Sequence, residues 1–141
     1  MIVDDESTVR QAIKRLLEHA GYEVEAVDGG HAALAAISER AYDLVITDFS
    51  MPGMSGDQLV TQIRERLPSQ RIIMATAFVE EYKVFGQHSA NVDALLLKPF
   101  SLKELHEAIA WVMKPKGETQ ANVLPPNAGQ TPKVIRPSSE A

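Results

Sequence analysis

Four apolar runs in this sequence end on side chains suited to phosphate and metal chemistry. Ile2-Val3 passes into Asp4-Asp5-Glu6, the run from Leu44 to Thr47 into Asp48, that from Arg71 to Ala75 into Thr76, and that from Ala94 to Leu97 into Lys98. Short β-branched or apolar runs bounded by turn residues read as buried strands. In an open α/β sheet, chemistry gathers beyond the carboxyl ends of the strands. Three carboxylates brought together repel one another, and a hard divalent cation with a preference for oxygen relieves the repulsion. Mg²⁺ keeps several waters and binds through one or two carboxylates plus phosphate oxygens, which suits Asp5 and Asp48 as direct ligands and Asp4 through water. Asp48 is then a carboxylate nucleophile able to form an acyl phosphate. The Lys98 ammonium and the Thr76 hydroxyl meet charge on the transferring group. Each residue also has a plainer role: Asp4 or Asp5 can cap a helix, Asp48 can start a turn, Thr76 can end a strand and Lys98 can be solvated. Their coincidence at four strand ends favours one shared site.

Helices must separate these strands. Val9, Ile13, Leu16, Leu17 and Ala20 recur at helical spacing after Ser7, a candidate N-cap, and Gly21 is a helix stop. Residues 22–27 alternate in polarity like a half-exposed edge strand, and Asp28-Gly29-Gly30 turns the chain into a helix over about 31–40. Ser55 with Gln58, and Ser101 with Glu104, are capping-box patterns. The first opens a helix with Leu59, Val60, Ile63 and Leu67 inward and Pro68 at its end. The second opens one that buries Leu102, Leu105, Ile109 and Val112, with Pro115 beyond it. Between Val79 and Asp93 the pattern is weak, with a short helix suggested by Val79, Tyr82, Val84 and Phe85. The alternation is a (βα)₅ unit over residues 1–114, implying a mostly parallel, doubly wound α/β sheet covered by helices on both faces. Residues 115–141 hold five of the eight prolines and little apolar periodicity, and read as a flexible Pro-rich tail or linker.

Composition narrows the partners. The 141 residues suit one domain with a core, and a formal charge of −5 without a Lys/Arg run argues against direct nucleic-acid binding. The absence of cysteine removes disulfides and thiolate metal sites. No signal peptide or bilayer-length apolar stretch is evident, so the expectation is a cytoplasmic protein without membrane contact. His19, His31, His88 and His106 lack metal-ligand spacing.

The sequence resembles the receiver domains of two-component response regulators across essentially all of residues 1–114. Four motifs carry the resemblance: Val3-Asp4-Asp5-Glu6, the stretch from Thr47 to Gly56, Met74-Ala75-Thr76-Ala77, and Lys98-Pro99-Phe100. It implies a flavodoxin-like five-stranded sheet of order 2-1-3-4-5. Asp48 would accept phosphate from a sensor histidine kinase or histidine phosphotransfer protein. Mg²⁺ would be held by Asp5, Asp48 and the backbone carbonyl of Ser50, with Asp4 nearby. Thr76 would be the hydroxyl that moves to the phosphate, and Lys98-Pro99 a cis peptide bond. No external substrate is implied; the output would be a phosphorylation-dependent surface for a downstream protein, on the last helix–strand–helix face, with homodimerisation there a further option.

Three features depart from the family pattern. Only three residues precede the acidic pair, which shortens the first strand. Leu95 stands three residues before Lys98, where the family often has a Tyr or Phe switch. Ser50 and Phe78 occupy positions that in the family tune acyl-phosphate hydrolysis, and bulky Phe78 predicts a long-lived phosphoryl state. Trp111 projects with Glu104 and Glu107 on a helical wheel, either as a partner contact or packed on a neighbouring helix or the tail. Two other classes compete. An aspartyl-phosphate hydrolase of the haloacid dehalogenase type needs a second Asp at the position of Ser50 and gives the Asp4-Asp5 pair no role. A degenerate receiver acting as an unphosphorylated scaffold is countered by the intact acids, Thr76 and Lys98.

Overall fold

The computed structural model describes residues 1–77, 91–115 and 134–135. Its elements are β1 (Ile2–Val3), α1 (Ser7–His19), β2 (Ala26–Val27), α2 (Gly30–Glu39), β3 (Val45–Asp48), α3 (Gly56–Arg66), β4 (Ile72–Thr76), β5 (Ala94–Leu97), α4 (Leu102–Val112) and β6 (Val134–Ile135). The short helix suggested near Val79 lies outside the described residues, as does Phe78. Five parallel strands run in the order β2-β1-β3-β4-β5, as the resemblance implies, and β6 joins antiparallel beside β5. This sixth strand lies within the segment that composition marks as a tail.

Period-two alternation explains why the strands are apolar throughout. Val3, Val45, Ile72, Met74 and Leu95 point to one face, where they pack with Ala33, Leu34 and Ile37 of α2 and Leu59, Val60 and Ile63 of α3. Ile2, Ile46, Ile73, Ala94 and Leu96 point to the other, against Ile13 and Leu17 of α1 and Leu105, Ala108, Ile109 and Val112 of α4. Both faces of the sheet are thus covered, and the side chains beyond the strand ends are left for the site.

Local chemistry sets most of the boundaries. Both capping boxes form: the Ser55 and Ser101 hydroxyls accept from the backbone N–H groups of Gln58 and Glu104, whose side chains accept from the cap N–H groups in return. Gly21 takes the positive φ of 96° that the turn after α1 requires, and its N–H donates to the Glu18 carbonyl. Ser7 is the first residue of α1 and not its cap, which is Glu6. The entry to α1 is held instead by the Asp4 carboxylate, whose Oδ1 accepts from the Glu6 N–H at 2.9 Å.

Several side chains differ from the sequence reading. Only Ala26 and Val27 of the alternating stretch 22–27 form a strand, because β1, the neighbour they pair with, has two residues to offer. Leu16, Leu67 and Leu102 are exposed, not inward, and Trp111 is buried in the α1/α4 core with the Lys114 ammonium 5.0 Å from its ring centre. Its role is packing. Asp93, which carried no sequence signal, accepts from the Ile72 N–H at 2.8 Å and pairs with Arg64 at 3.1 Å, fixing the start of β5 against β4 and α3.

Candidate functional site

Asp48 is the last residue of β3 and Thr76 the last of β4, while Asp4 and Lys98 directly follow β1 and β5. Register turns these four chain positions into one edge. Val3 pairs with Thr47, Asp48 with Ala75 and Thr76 with Leu97, so each functional residue leaves the sheet within a residue of its neighbour's level. The Lys98 N–H donates to the Thr76 carbonyl at 2.7 Å, carrying β4–β5 pairing up to the lysine. The Lys98-Pro99 bond is cis, as the resemblance implies.

The side chains converge. Carboxylate oxygens of Asp4, Asp5 and Asp48 lie within 4.8 Å of one another. The Lys98 ammonium sits between two of them, 3.2 Å from Asp4 Oδ2 and 3.1 Å from Asp48 Oδ1. Asp4 and Asp48 are largely buried at 4% and 12% side-chain exposure, whereas Asp5 faces solvent and leaves the cluster open on one side. Thr76 is buried at 2%, and Ser50 is exposed in the loop two residues after Asp48.

The electrostatics follow from this geometry. Burial pushes the Asp48 carboxyl above the usual carboxylate range; Lys98 pulls it back down, and the charge of Asp4 adds to the rise. For Lys98, burial acts downward, but the hydrogen bonds and charges of Asp48 and Asp4 outweigh it and hold the ammonium above its ordinary value. The site therefore keeps a cation wedged into an excess of negative charge. Three hard oxygen donors with one solvent-facing side suit a small divalent cation, and the acidic cluster is compatible with Mg²⁺.

Two supports escaped the sequence reading. Arg10 of α1 donates to the Asp4 carbonyl at 2.7 Å and ties the helix to the acidic loop. Gly56, at the start of α3, brings its backbone against the end of β3 and donates its N–H to the Phe49 carbonyl at 2.8 Å. A Cβ there would strike the Asp48 carbonyl oxygen and lie 2.9 Å from Phe49 Cα. A glycine in the first turn of a helix, where propensity disfavours it, was the available signal. A groove of about 930 Å³ bounded by Met1, Tyr22, Tyr42 and Met113 lies at the opposite, amino ends of the strands, away from the acidic cluster.

Residues 1–110 match the family model for the response regulator receiver domain. The chain belongs to that family. Among receivers it is 37% identical to the chemotaxis protein CheY of Pseudomonas aeruginosa over 112 residues, covering 77% of this chain and 90% of CheY. It is 36% identical to the transcriptional regulatory protein ResD of Bacillus subtilis, covering 74% of this chain but 43% of ResD, and it spans 23% of the response regulator FleR of P. aeruginosa. A response regulator receiver domain protein from Clostridium thermocellum superposes with a TM-score of 0.73 at 31% identity, covering 79% of this chain and 90% of that one. The response regulator TrrA of Thermotoga maritima, solved in complex with Mg²⁺–BeF, superposes with a TM-score of 0.73 at 33% identity, covering 79% of this chain and 95% of TrrA. The five parallel strands are thus those of a CheY-like, flavodoxin-like receiver, a signalling domain of two-component systems. Among the described residues, no helix is long and apolar enough to cross a membrane.

Proposed function

We propose that this receiver takes a phosphoryl group onto Asp48 from a histidine kinase or histidine phosphotransfer protein, and that Mg²⁺ is required. The observation that carries this reading is the convergence of Asp4, Asp5, Asp48 and Lys98 at one sheet edge. TrrA's complex with Mg²⁺–BeF supports the choice of metal. Asp5, Asp48 and the Ser50 carbonyl would hold the ion, with Asp4 beside it, and the bound metal would supply positive charge against the transferring group. A carboxylate oxygen of Asp48 attacks phosphorus in line, the O–P bond forms as the P–N bond of the phosphohistidine breaks, and the imidazole leaves. Lys98, released from part of its contact with Asp48, pairs with a phosphoryl oxygen. Thr76 supplies a hydroxyl to the same group from the end of β4. The reaction is the protein's own modification, and its product is a changed surface read by a downstream protein. The Asp4-Asp5 pair and Ser50 at the second position after Asp48 separate this site from an aspartyl-phosphate hydrolase of the haloacid dehalogenase type.

The metal requirement is testable without phosphate. Mg²⁺ at about 100 times its dissociation constant raises the unfolding free energy by about 2.7 kcal/mol through linkage. Asp5→Asn weakens Mg²⁺ binding by about 100-fold and largely removes that stabilisation. Calorimetric titration and urea unfolding with and without a chelator measure both. Equal Mg²⁺ responses in the parent and in Asp5→Asn contradict the assignment.

A further inference from the structure

The strand β5 poses a problem that the tail solves. Residues 94–97 read Ala-Leu-Leu-Leu, with no charge, proline or glycine to discourage pairing on the side away from β4. Ala94, Leu95 and Leu96 are buried, so their side chains belong to the core and cannot be exchanged for protective charges. An apolar, regular edge of this kind is a template for any extended chain. In this protein the edge is occupied: Leu95 pairs with Ile135 and Leu96 with Val134, antiparallel.

The pairing segment is built for this use. Val134 and Ile135 are β-branched, the strongest strand formers, and stand alone in a tail otherwise poor in such pairs. The local sequence is Pro132-Lys133-Val134-Ile135-Arg136-Pro137. Prolines on both sides supply no N–H and so limit the length of any ladder. The two cations inside them are the residues that edge strands use against further pairing. A strand that joins the sheet on one side and resists extension on the other is an edge cap. We infer that the outer edge of β5 is a strand-docking surface and that the tail, through Val134–Ile135, is its intramolecular occupant. Strand addition of this kind takes its affinity from main-chain hydrogen bonds. The tail therefore competes in cis with any extended segment, including β5 of a second copy, that seeks the same edge.

The test uses the full chain and a Val134→Pro/Ile135→Pro double variant, which removes both tail N–H donors and leaves the described core side chains in place. Successive residues of a strand direct their amides to opposite sides, so one of the Leu95 and Leu96 amides faces β6 and the other faces β4. Hydrogen exchange followed by NMR is expected to quicken about tenfold or more at the outward amide in the variant, with Ile73 and Met74 of β4 unchanged. A synthetic peptide of residues 130–139 added in excess is expected to slow it again. Equal exchange in the parent and a monomeric variant overturns the inference, as does faster exchange that the peptide does not restore. A dimer formed by the variant and not by the parent, seen by sedimentation, is the second copy taking the vacated edge and supports the tail as its occupant; a parent that is itself paired through β5 overturns it.

Discussion

Lys98→Ala is expected to slow phosphoryl transfer to Asp48 by about 100- to 1000-fold, the scale of losing one preorganised positive group at a site of developing charge. The same substitution is expected to destabilise the metal-free protein by about 2 kcal/mol. It leaves the Asp4 and Asp48 carboxylates, at 4% and 12% exposure, facing each other without the ammonium that now bridges them at 3.2 and 3.1 Å. A fully buried pair broken in this way costs about 3–5 kcal/mol, and the 20% exposure of Lys98 reduces the figure. The pH dependence has a definite sign. Lys98 acts downward on the Asp48 carboxyl, while burial and Asp4 act upward, so its removal raises Asp48 further. A carboxyl raised in the native state holds a proton that the unfolded chain has released, and stability then falls as pH rises through the raised range. The deficit of the variant is therefore largest at neutral pH and narrows in mild acid. Mg²⁺ is expected to restore part of it by supplying the missing positive charge. Rapid-mixing kinetics with a small phosphodonor, and urea unfolding at neutral and mildly acidic pH, measure the two effects. A transfer rate within about threefold of the parent contradicts the role given to Lys98.

Gly56→Ala is expected to cost about 3 kcal/mol or more, although it adds a single methyl group to a helix. The new Cβ meets the carbonyl oxygen of Asp48 and approaches Phe49 Cα at 2.9 Å and the Asp48 carbonyl carbon at 3.0 Å. All three atoms are backbone, so no rotamer change relieves the contact. Either α3 moves off β3, breaking the hydrogen bond from Gly56 to Phe49, or the end of β3 shifts and takes the Asp48 carboxylate with it. A fall in Tm of about 10 °C or more and a matching loss of Mg²⁺ affinity are the expected results. Gly29→Ala is the control: nothing lies within 4 Å of its added Cβ and its φ of −176° is open to any residue, so the change stays within about 1 kcal/mol. Equal stability of the Gly56 variant and the parent would show that the α3–β3 junction does not fix the site.

The strand ends were legible because each run changes from apolar to functional at one residue, and parallel register forces such changes to one edge. Asp48, Thr76 and Lys98 could therefore be placed together without knowing a contact, and the capping boxes at Ser55 and Ser101 set two helix starts. What failed was reading depth from periodicity alone. Leu16 and Leu102 keep helical spacing but are exposed, at 42% and 40%. Trp111 looked polar on a wheel that counted Glu104 and Glu107 but gave no weight to Ala108, three residues earlier and fully buried. A small residue is a weak signal, yet here it widens the apolar stripe enough to take in the indole. Gly56 and Arg10 support the site through backbone contacts, which leave little trace in residue type. Val134-Ile135 is too short to show any period, and its meaning appears only beside the β5 edge that it covers. Leu95, at the family's usual aromatic switch position, is 5% exposed and packs in the α2/α3-side core.

The central claim is that Asp48 carries an acyl phosphate. Intact-mass spectrometry of the full chain after incubation with acetyl phosphate and Mg²⁺, followed by borohydride reduction and peptide mapping, addresses it directly. The expected result is a single phosphoryl increment that requires Mg²⁺, maps to Asp48 and is absent from Asp48→Asn. An unchanged mass, or the same increment retained by Asp48→Asn, contradicts it.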